Sequence, residues 1–523
     1  MAPITPASES GASRLLGQAT FGATDAEITR VKDIGYAGWL DAQFAMPKEQ
    51  SHVDWLFAQG WHTVALPGGA SINGLNASLW RQFMAGKDQL RQRVAYALSQ
   101  IAVTSRLGIS NGWRAFALAY YMDILLDGAF GSYRSLLEKI TASPAMGIYL
   151  TYRGNRKADA ATGRVPDENY ARELMQLFAI GLYELNADGT LKLANGKPIE
   201  TYTQEDISGL ARVFTGWNYD PNAQSRAGEP SNLTNLIHPM VMNAAQHEPG
   251  EKRFLGIVIP PGTDGVTSMR LALDALMAHP NIAPFVSKQL IQRLVTSNPS
   301  AAYVGRVAAV FNDNGSGQKG DLKAVVKAIL LDADARVDAT LTDAAAGKLR
   351  EPVVRFTQWA RAFAANSPSG KWALPETSNP GTRLGQSPLY SPSVFNFYRP
   401  GYVPPGTAIA QQNLVAPELQ ITNESSVAGF INFMQTVLGT SGGILNSDVA
   451  ANYAEWLTLV DVPASLLAKL NLVLAAGQLS QATLDRIRVA LEATPASTDA
   501  ARLNRLRSTI LLVMAVPEYL VQK

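Results

Sequence analysis

Pro166-Asp-Glu-Asn-Tyr-Ala-Arg-Glu-Leu-Met-Gln-Leu-Phe-Ala-Ile-Gly181 is the stretch on which the reading of the fold turns. Tyr170, Leu174, Leu177, Phe178 and Gly181 recur at helical spacing, which predicts one helix with an apolar stripe facing a core. Asp167, just after Pro166, stands where an N-cap belongs. Glu168 and Arg172 fall opposite the stripe, one turn apart, and read as a solvated pair. Glu173 lies on the flank of the stripe, one turn after Asn169 and one before Leu177. A carboxylate half withdrawn from water needs a partner. Glu173 is therefore the leading functional candidate, with Asn169 as its local companion.

Working outward, the pattern is helical almost throughout. Residues 1–12 read as a loose tail, and helices follow from Ser13. A Gly-rich loop surrounds Pro67-Gly-Gly-Ala70. Lys87 to Ser105 is amphipathic at its start and apolar nearly all round in its second half, which predicts a buried central helix. Residues 151–165 lack periodicity and read as a polar, partly mobile loop feeding the focal helix. Asn186-Ala-Asp-Gly-Thr190 and Asn195-Gly-Lys197 are turn signals that predict a hairpin over Tyr183 to Thr203. The next helix, to Trp217, has Ile207, Leu210, Ala211 and Phe214 as its stripe and Thr203 with Asp206 as a capping box. Asn218 to Gly250 is irregular and leads into a Pro/Gly loop carrying His247. Five further helices are expected between Ser268 and Ala364. Asn366 to Thr407 is rich in Gly, Pro and Ser, and its aromatics predict packing on the body. The last hundred residues are helical, ending with a helix over Leu503 to Val521. The expected class is all-α: a large multi-helical domain with irregular loops and a small β-hairpin insertion. The expected division is a tail (1–12), a main helical domain carrying the polar site (13–365), a packed aromatic segment (366–410) and a C-terminal helical region (411–523).

Composition sets the bounds. Of 523 residues, 47% are hydrophobic and 17% charged, so core formation is not limiting. The net charge is +2 without a long basic run, which argues against nucleic acid as a partner. The absence of cysteine excludes disulfides and thiolate chemistry. No apolar run approaches the ~20 residues that span a bilayer. The short, polar, Pro-rich start reads as one from which a signal peptide has been removed.

Several motifs carry a family resemblance: Arg14-Leu-Leu-Gly-Gln-Ala-Thr-Phe-Gly22, Leu90-Arg-Gln-Arg-Val94, Glu168 to Phe178, Tyr202-Thr-Gln-Glu-Asp-Ile207, Thr215-Gly-Trp217, His247 to Lys252 with Leu255-Gly256, Lys288 to Arg293, Lys348-Leu-Arg-Glu-Pro352 and Ala416-Pro-Glu-Leu-Gln420. Together they resemble the DUF1800 family over nearly the whole chain. The resemblance implies a bacterial, mostly exported protein, periplasmic or extracellular, often encoded beside a partner resembling sulfatases and phosphatases. It implies no activity. The family usually has His-Asp where this chain has His247-Glu248, a lengthening that weakens the case for a strict metal geometry there.

The polar residues allow three functional readings. In the leading one, an exported hydrolase or lyase acts on a polar polymer such as a polysaccharide, with no cofactor required. Glu173 pairs with Glu168, Asp206 or Glu248 for acid–base work. His247 is a further catalytic candidate, and Asn169, Arg172, Arg212, Trp217 and Lys252 bind substrate. In the second, the chain is a non-catalytic scaffold or assembly partner, and Glu173 pairs structurally with Arg91, Arg93 or Arg212. In the third, Glu173, His247 and Glu248 hold a hard, oxygen-liganded metal. The histidines (His52, His62, His238, His247 and His279) show no zinc spacing. Trp217, Tyr219, Tyr390, Phe397 and Tyr398 are either sugar-stacking platforms or core. Lys288 and Arg293 read as a solvated face. There is no nucleophile elbow and no Walker loop.

Overall fold

The computed structural model describes residues 8–63, 73–110, 112–439 and 448–523. The loop around Pro67 lies outside these residues. The architecture is all-α with small two-stranded antiparallel sheets. The first half contains α1 (Glu9–Ala19), α2 (Asp25–Ala45), α3 (His52–Ala58), α4 (Asn73–Ala85), α5 (Gln89–Ser99), α6 (Arg114–Gly128), α7 (Tyr133–Thr141) and α8 (Pro144–Tyr149). Helix α1 starts at Glu9 rather than Ser13, because the Ser8 hydroxyl caps it by accepting from Gly11 N at 3.0 Å. Part of the expected tail is therefore helix.

One apolar cluster runs from Ala12 to Tyr519. Helix α5 lies within it, with Leu90, Val94, Ala97 and Leu98 buried. It stops at Ser99, short of the expected Ser105, and the chain continues as a turn. Helix Pro463–Ala475 packs on both α1 and helix Pro352–Ala362, so the C-terminal helices share the core of the N-terminal ones. Trp372, Leu374, Leu384, Leu389 and Tyr398 are buried, so the Gly/Pro-rich segment packs on the body as expected.

The focal region forms α9 (Asn169–Glu173) and α10 (Gln204–Val213), joined through the expected hairpin. In that hairpin β1 (Leu193–Ala194) pairs with β2 (Lys197–Pro198) across an Asn195-Gly196 turn. β3 (Trp217–Asn218) pairs with β4 (Val241–Met242), and β5 (Lys252–Phe254) with β6 (Ile257–Ile259). Helix α10 lies so close to β5 that a Cβ on Gly209 would sit 1.6 Å from the Arg253 carbonyl oxygen. Gly209→Ala is therefore expected to unseat β5 and cost roughly 1–3 kcal/mol as an overpacking change. Urea unfolding checks it, and an unchanged midpoint would mean that this contact does not hold the strand.

The C-terminus departs from the expected helix over Leu503 to Val521. Helix Asp499–Ala515 ends before Pro517, which starts a new short helix, Pro517–Leu520. Val521–Gln522 then forms β8, pairing with β7 (Lys348–Leu349). The chain end is thereby tied to the Lys348-Leu-Arg-Glu-Pro352 motif. No helix among the described residues is long and apolar enough to cross a membrane.

Candidate functional site

The focal stretch is not one helix. Helix α9 ends at Glu173 and a π-helical turn, Leu174–Ala179, follows, closed by Ile180 N donating to Met175 O at 2.9 Å. Tyr170, Leu174 and Phe178 are buried as predicted. As at any helix end, the last carbonyls lack helical donors, and neighbouring side chains take them. Tyr133 donates to Phe178 O, Gln289 to Leu177 O at 3.3 Å, Asn281 to Ile180 O at 2.9 Å, and Thr201 to Gly181 O. These tertiary donors satisfy the end of a π-turn that the local pattern does not announce.

Glu173 sits at this α–π junction with 8% exposure, and its Oε2 is buried without a hydrogen-bond partner among the described residues. Burial raises its carboxyl above the ordinary 4.5, opposed in part by the Arg172 charge. The arginines expected to pair with it are engaged elsewhere. Arg91 bonds Leu126 O at 3.2 Å, Arg93 bonds Arg293 O at 2.8 Å, and Arg212 bonds Glu251 O at 3.2 Å. Asn169 is not its companion. It is exposed, takes Asp167 Oδ1 through its backbone N at 2.9 Å and reaches Thr151 at 3.4 Å. Asp167 is therefore not the expected N-cap: the helix starts at Asn169, Glu168 holds the cap position without a side-chain bond, and Asp167 makes a local turn contact just before it.

The other candidate carboxylates are committed locally. Glu168 and Arg172 form the expected half-exposed pair at 3.4 Å, and Glu168 also accepts from Gln204 at 2.8 Å and Ser208 at 2.5 Å. Asp206 closes the capping box with Thr203 and accepts from Leu255 N at 2.6 Å. Glu248 accepts from Ala158 N at 3.2 Å and Gly250 N at 3.1 Å. With none of them is Glu173 bonded. The phenols of Tyr149 and Tyr202 instead lie within its electrostatic reach. Burial first, then Glu173, pushes the Tyr202 hydroxyl up to about 12. Burial likewise raises the Tyr149 hydroxyl to about 12, with Ser391 acting against it and Glu173 adding a smaller push upward. Sequence reading missed both tyrosines. Tyr202 stood in a quoted motif, but periodicity carries no signal for a phenol within the field of a carboxylate.

His247 belongs to a second cluster, at the C-terminal end of α10. Thr215 is its hub: its hydroxyl donates to Arg212 O at 2.7 Å and accepts from Glu248 N at 2.8 Å. Its carbonyl accepts from His247 Nδ1 at 3.0 Å, which leaves Nε2 as a buried lone pair without a partner among the described residues. Burial lowers the imidazole's pKa against the Thr215 bond that raises it. Lys252 is buried, bonds Gly250 O at 3.3 Å, and is likewise lowered by burial. The loop 151–165 is tied here too, through Lys157 N to Gln246 O at 2.8 Å and Gly154 N to Trp217 O at 2.8 Å. Trp217 is 4% exposed within the core, so it is no sugar platform. Among the described residues, no three His, Asp or Glu side chains are gathered as metal ligands.

The remaining motifs meet in a third place, fully buried. Glu351 Oε2 accepts from Gln386 at 2.6 Å, Gln100 at 2.7 Å, Tyr398 at 2.8 Å and Tyr96 at 3.1 Å. Lys348 pairs with Glu418 at 3.0 Å, the two side chains 2% and 1% exposed. Arg293, expected on a solvated face, is buried, lies over the Tyr398 ring at 5.4 Å and donates to Gln100 O at 3.3 Å. Beside this cluster a small polar cavity lies between the end of α5 and the segment 387–397. Among the described residues, Gln100 Oε1, Thr104 Oγ1, Ser387 Oγ and Asn396 Nδ2 are buried there without hydrogen-bond partners. Its walls are neutral donors and acceptors suited to hydroxyl groups or water.

No curated protein and no solved structure matches the chain. The family model described as a protein of unknown function, DUF1800, matches residues 14–521, and the chain belongs to that family.

Proposed function

We propose that the protein is an exported enzyme of lyase or hydrolase type that acts on a polar polymer such as a polysaccharide, with Glu173 as its proton-transfer group. The observation that supports this is a buried carboxylate without the ion pair that a structural role requires. The second proton-transfer group is a phenol rather than a second carboxylate, because Glu168, Asp206 and Glu248 are bound to other partners. Elimination on an acidic polysaccharide suits these groups best. Glu173, a stronger base for its raised pKa, takes the proton from the carbon beside the sugar carboxylate. The bond to the leaving oxygen breaks, and that oxygen takes the proton of Tyr202, held protonated at neutral pH. Arg172, half-exposed beside Glu173, offsets the charge that grows on the sugar carboxylate.

The test is a panel of uronate-containing and neutral polysaccharides, followed by absorbance of the unsaturated product and by release of reducing ends. Glu173→Gln and Tyr202→Phe are each expected to lower turnover by roughly 10²–10⁴. Turnover that survives in Glu173→Gln sinks the reading and favours the scaffold role.

A further inference from the structure

A separate cleft lies between helix Pro352–Ala362, helix Glu424–Gly439 and the C-terminal helices, far in sequence from Glu173. Leu349, Leu384, Ile421, Ile431 and Met514 give it apolar walls around a free volume of about 60 Å³. Of the described residues that line it, Arg355 alone is charged. The Thr422 and Ser426 hydroxyls are spent on Glu418 O at 3.0 Å and Asn423 O at 3.1 Å.

Arg355 is 9% exposed, and among the described residues its guanidinium makes no hydrogen bond or ion pair. Glu351, one helical turn before it, attracts Arg355 by its charge, yet among the described residues no hydrogen bond or ion pair joins the two. Glu351 spends Oε2 on Tyr96, Gln100, Gln386 and Tyr398. Arg350 is a like charge, bonded to Tyr519 O. Tyr519 keeps its proton, its hydroxyl held up to about 12 by burial. Burial lowers Arg355 to about 10, which leaves it cationic at neutral pH. The Phe430 ring lies 4.0 Å from the guanidinium carbon and covers its face. That stacking leaves the in-plane N–H donors unused, and such donors match a carboxylate edge-on.

We propose that this cleft binds an amphiphilic monocarboxylate, its carboxylate on Arg355 and its hydrocarbon tail along the apolar walls. The volume holds the head and the first few carbons, given that one water takes roughly 10–15 Å³ on the same measure. The rest of the tail runs out past Val427, which is 52% exposed. The site is independent of the chemistry proposed for Glu173.

Titration calorimetry of the full chain with octanoate tests it, with acetate and octanol as head-only and tail-only controls. Saturable octanoate binding is expected, at least tenfold tighter than either control and with a negative heat-capacity change. Arg355→Met should weaken octanoate at least tenfold and leave octanol unchanged, as loss of a charge-assisted bond requires. Val427→Trp, on the exposed rim, should weaken octanoate and octanol together in a folded chain, which keeps the test intact if Arg355→Met does not fold. Octanoate that fails to bind, or that binds Val427→Trp as it binds the wild type, overturns the proposal and leaves Arg355 as a cation stacked on Phe430.

Discussion

Replacing Lys348 by methionine, or Glu418 by leucine, is expected to lower stability by about 3–5 kcal/mol, and replacing both is expected to recover most of the loss. The two side chains pair at 3.0 Å with 2% and 1% exposure, so each single change strands a charge away from water. Lys348 also donates to Arg293 O at 2.9 Å, but that carbonyl keeps the bond from Arg93 at 2.8 Å in the double variant. Little else is left unpaired, and apolar replacements refill the volume. A double-mutant cycle in urea reads the coupling directly. Additive single losses would mean that packing, not the ion pair, sets the cost.

The same cluster should govern acid unfolding. Burial pushes the Glu351 carboxyl up, but Lys348, Arg93 and the bonds from Gln386 and Tyr398 outweigh it and hold it below the ordinary 4.5. A depressed folded value contributes stability that is fully present above 4.5 and lost as pH falls through the folded value. Glu351→Gln should therefore flatten the acid limb of stability against pH. An unchanged limb would assign that limb to other carboxylates.

Glu173→Gln is expected to do the opposite to stability while removing activity. The folded carboxyl is raised, so the folded state keeps its proton to higher pH than the unfolded chain does. Stability then falls as pH rises from 4.5 through the folded value, and the penalty is complete above it. The variant removes that penalty. It should match the wild type in acid and exceed it by on the order of 1 kcal/mol at neutral pH, the scale of an unsatisfied buried polar group. Urea unfolding across pH, beside turnover on the polysaccharide panel, separates the two effects. A Glu173→Gln chain that is less stable at every pH would show that Glu173 holds the fold through a partner.

Much of the architecture was written in local pattern. The stripe Tyr170, Leu174, Phe178, the Thr203–Asp206 capping box and the Asn195-Gly196 turn all lie where spacing and turn chemistry placed them, because short-range contacts decide each. The motifs also sufficed to identify the family. What they could not show was which charges meet. Arg93 stood among the expected partners of Glu173, yet it reaches Arg293, two hundred residues on, while Glu173 Oε2 has no partner among the described residues at a π-turn. The carbonyls at its end are taken by Tyr133, Thr201, Asn281 and Gln289, donors from elsewhere in the chain. Glu351 shows the same limit: its acceptors' partners come from α5 and from the 386–398 segment. Helices and turns follow from neighbours in sequence, and so are legible in it. The desolvation of a charge, and the donor that answers it, depend on residues brought together only by packing, and so were decided by the tertiary structure.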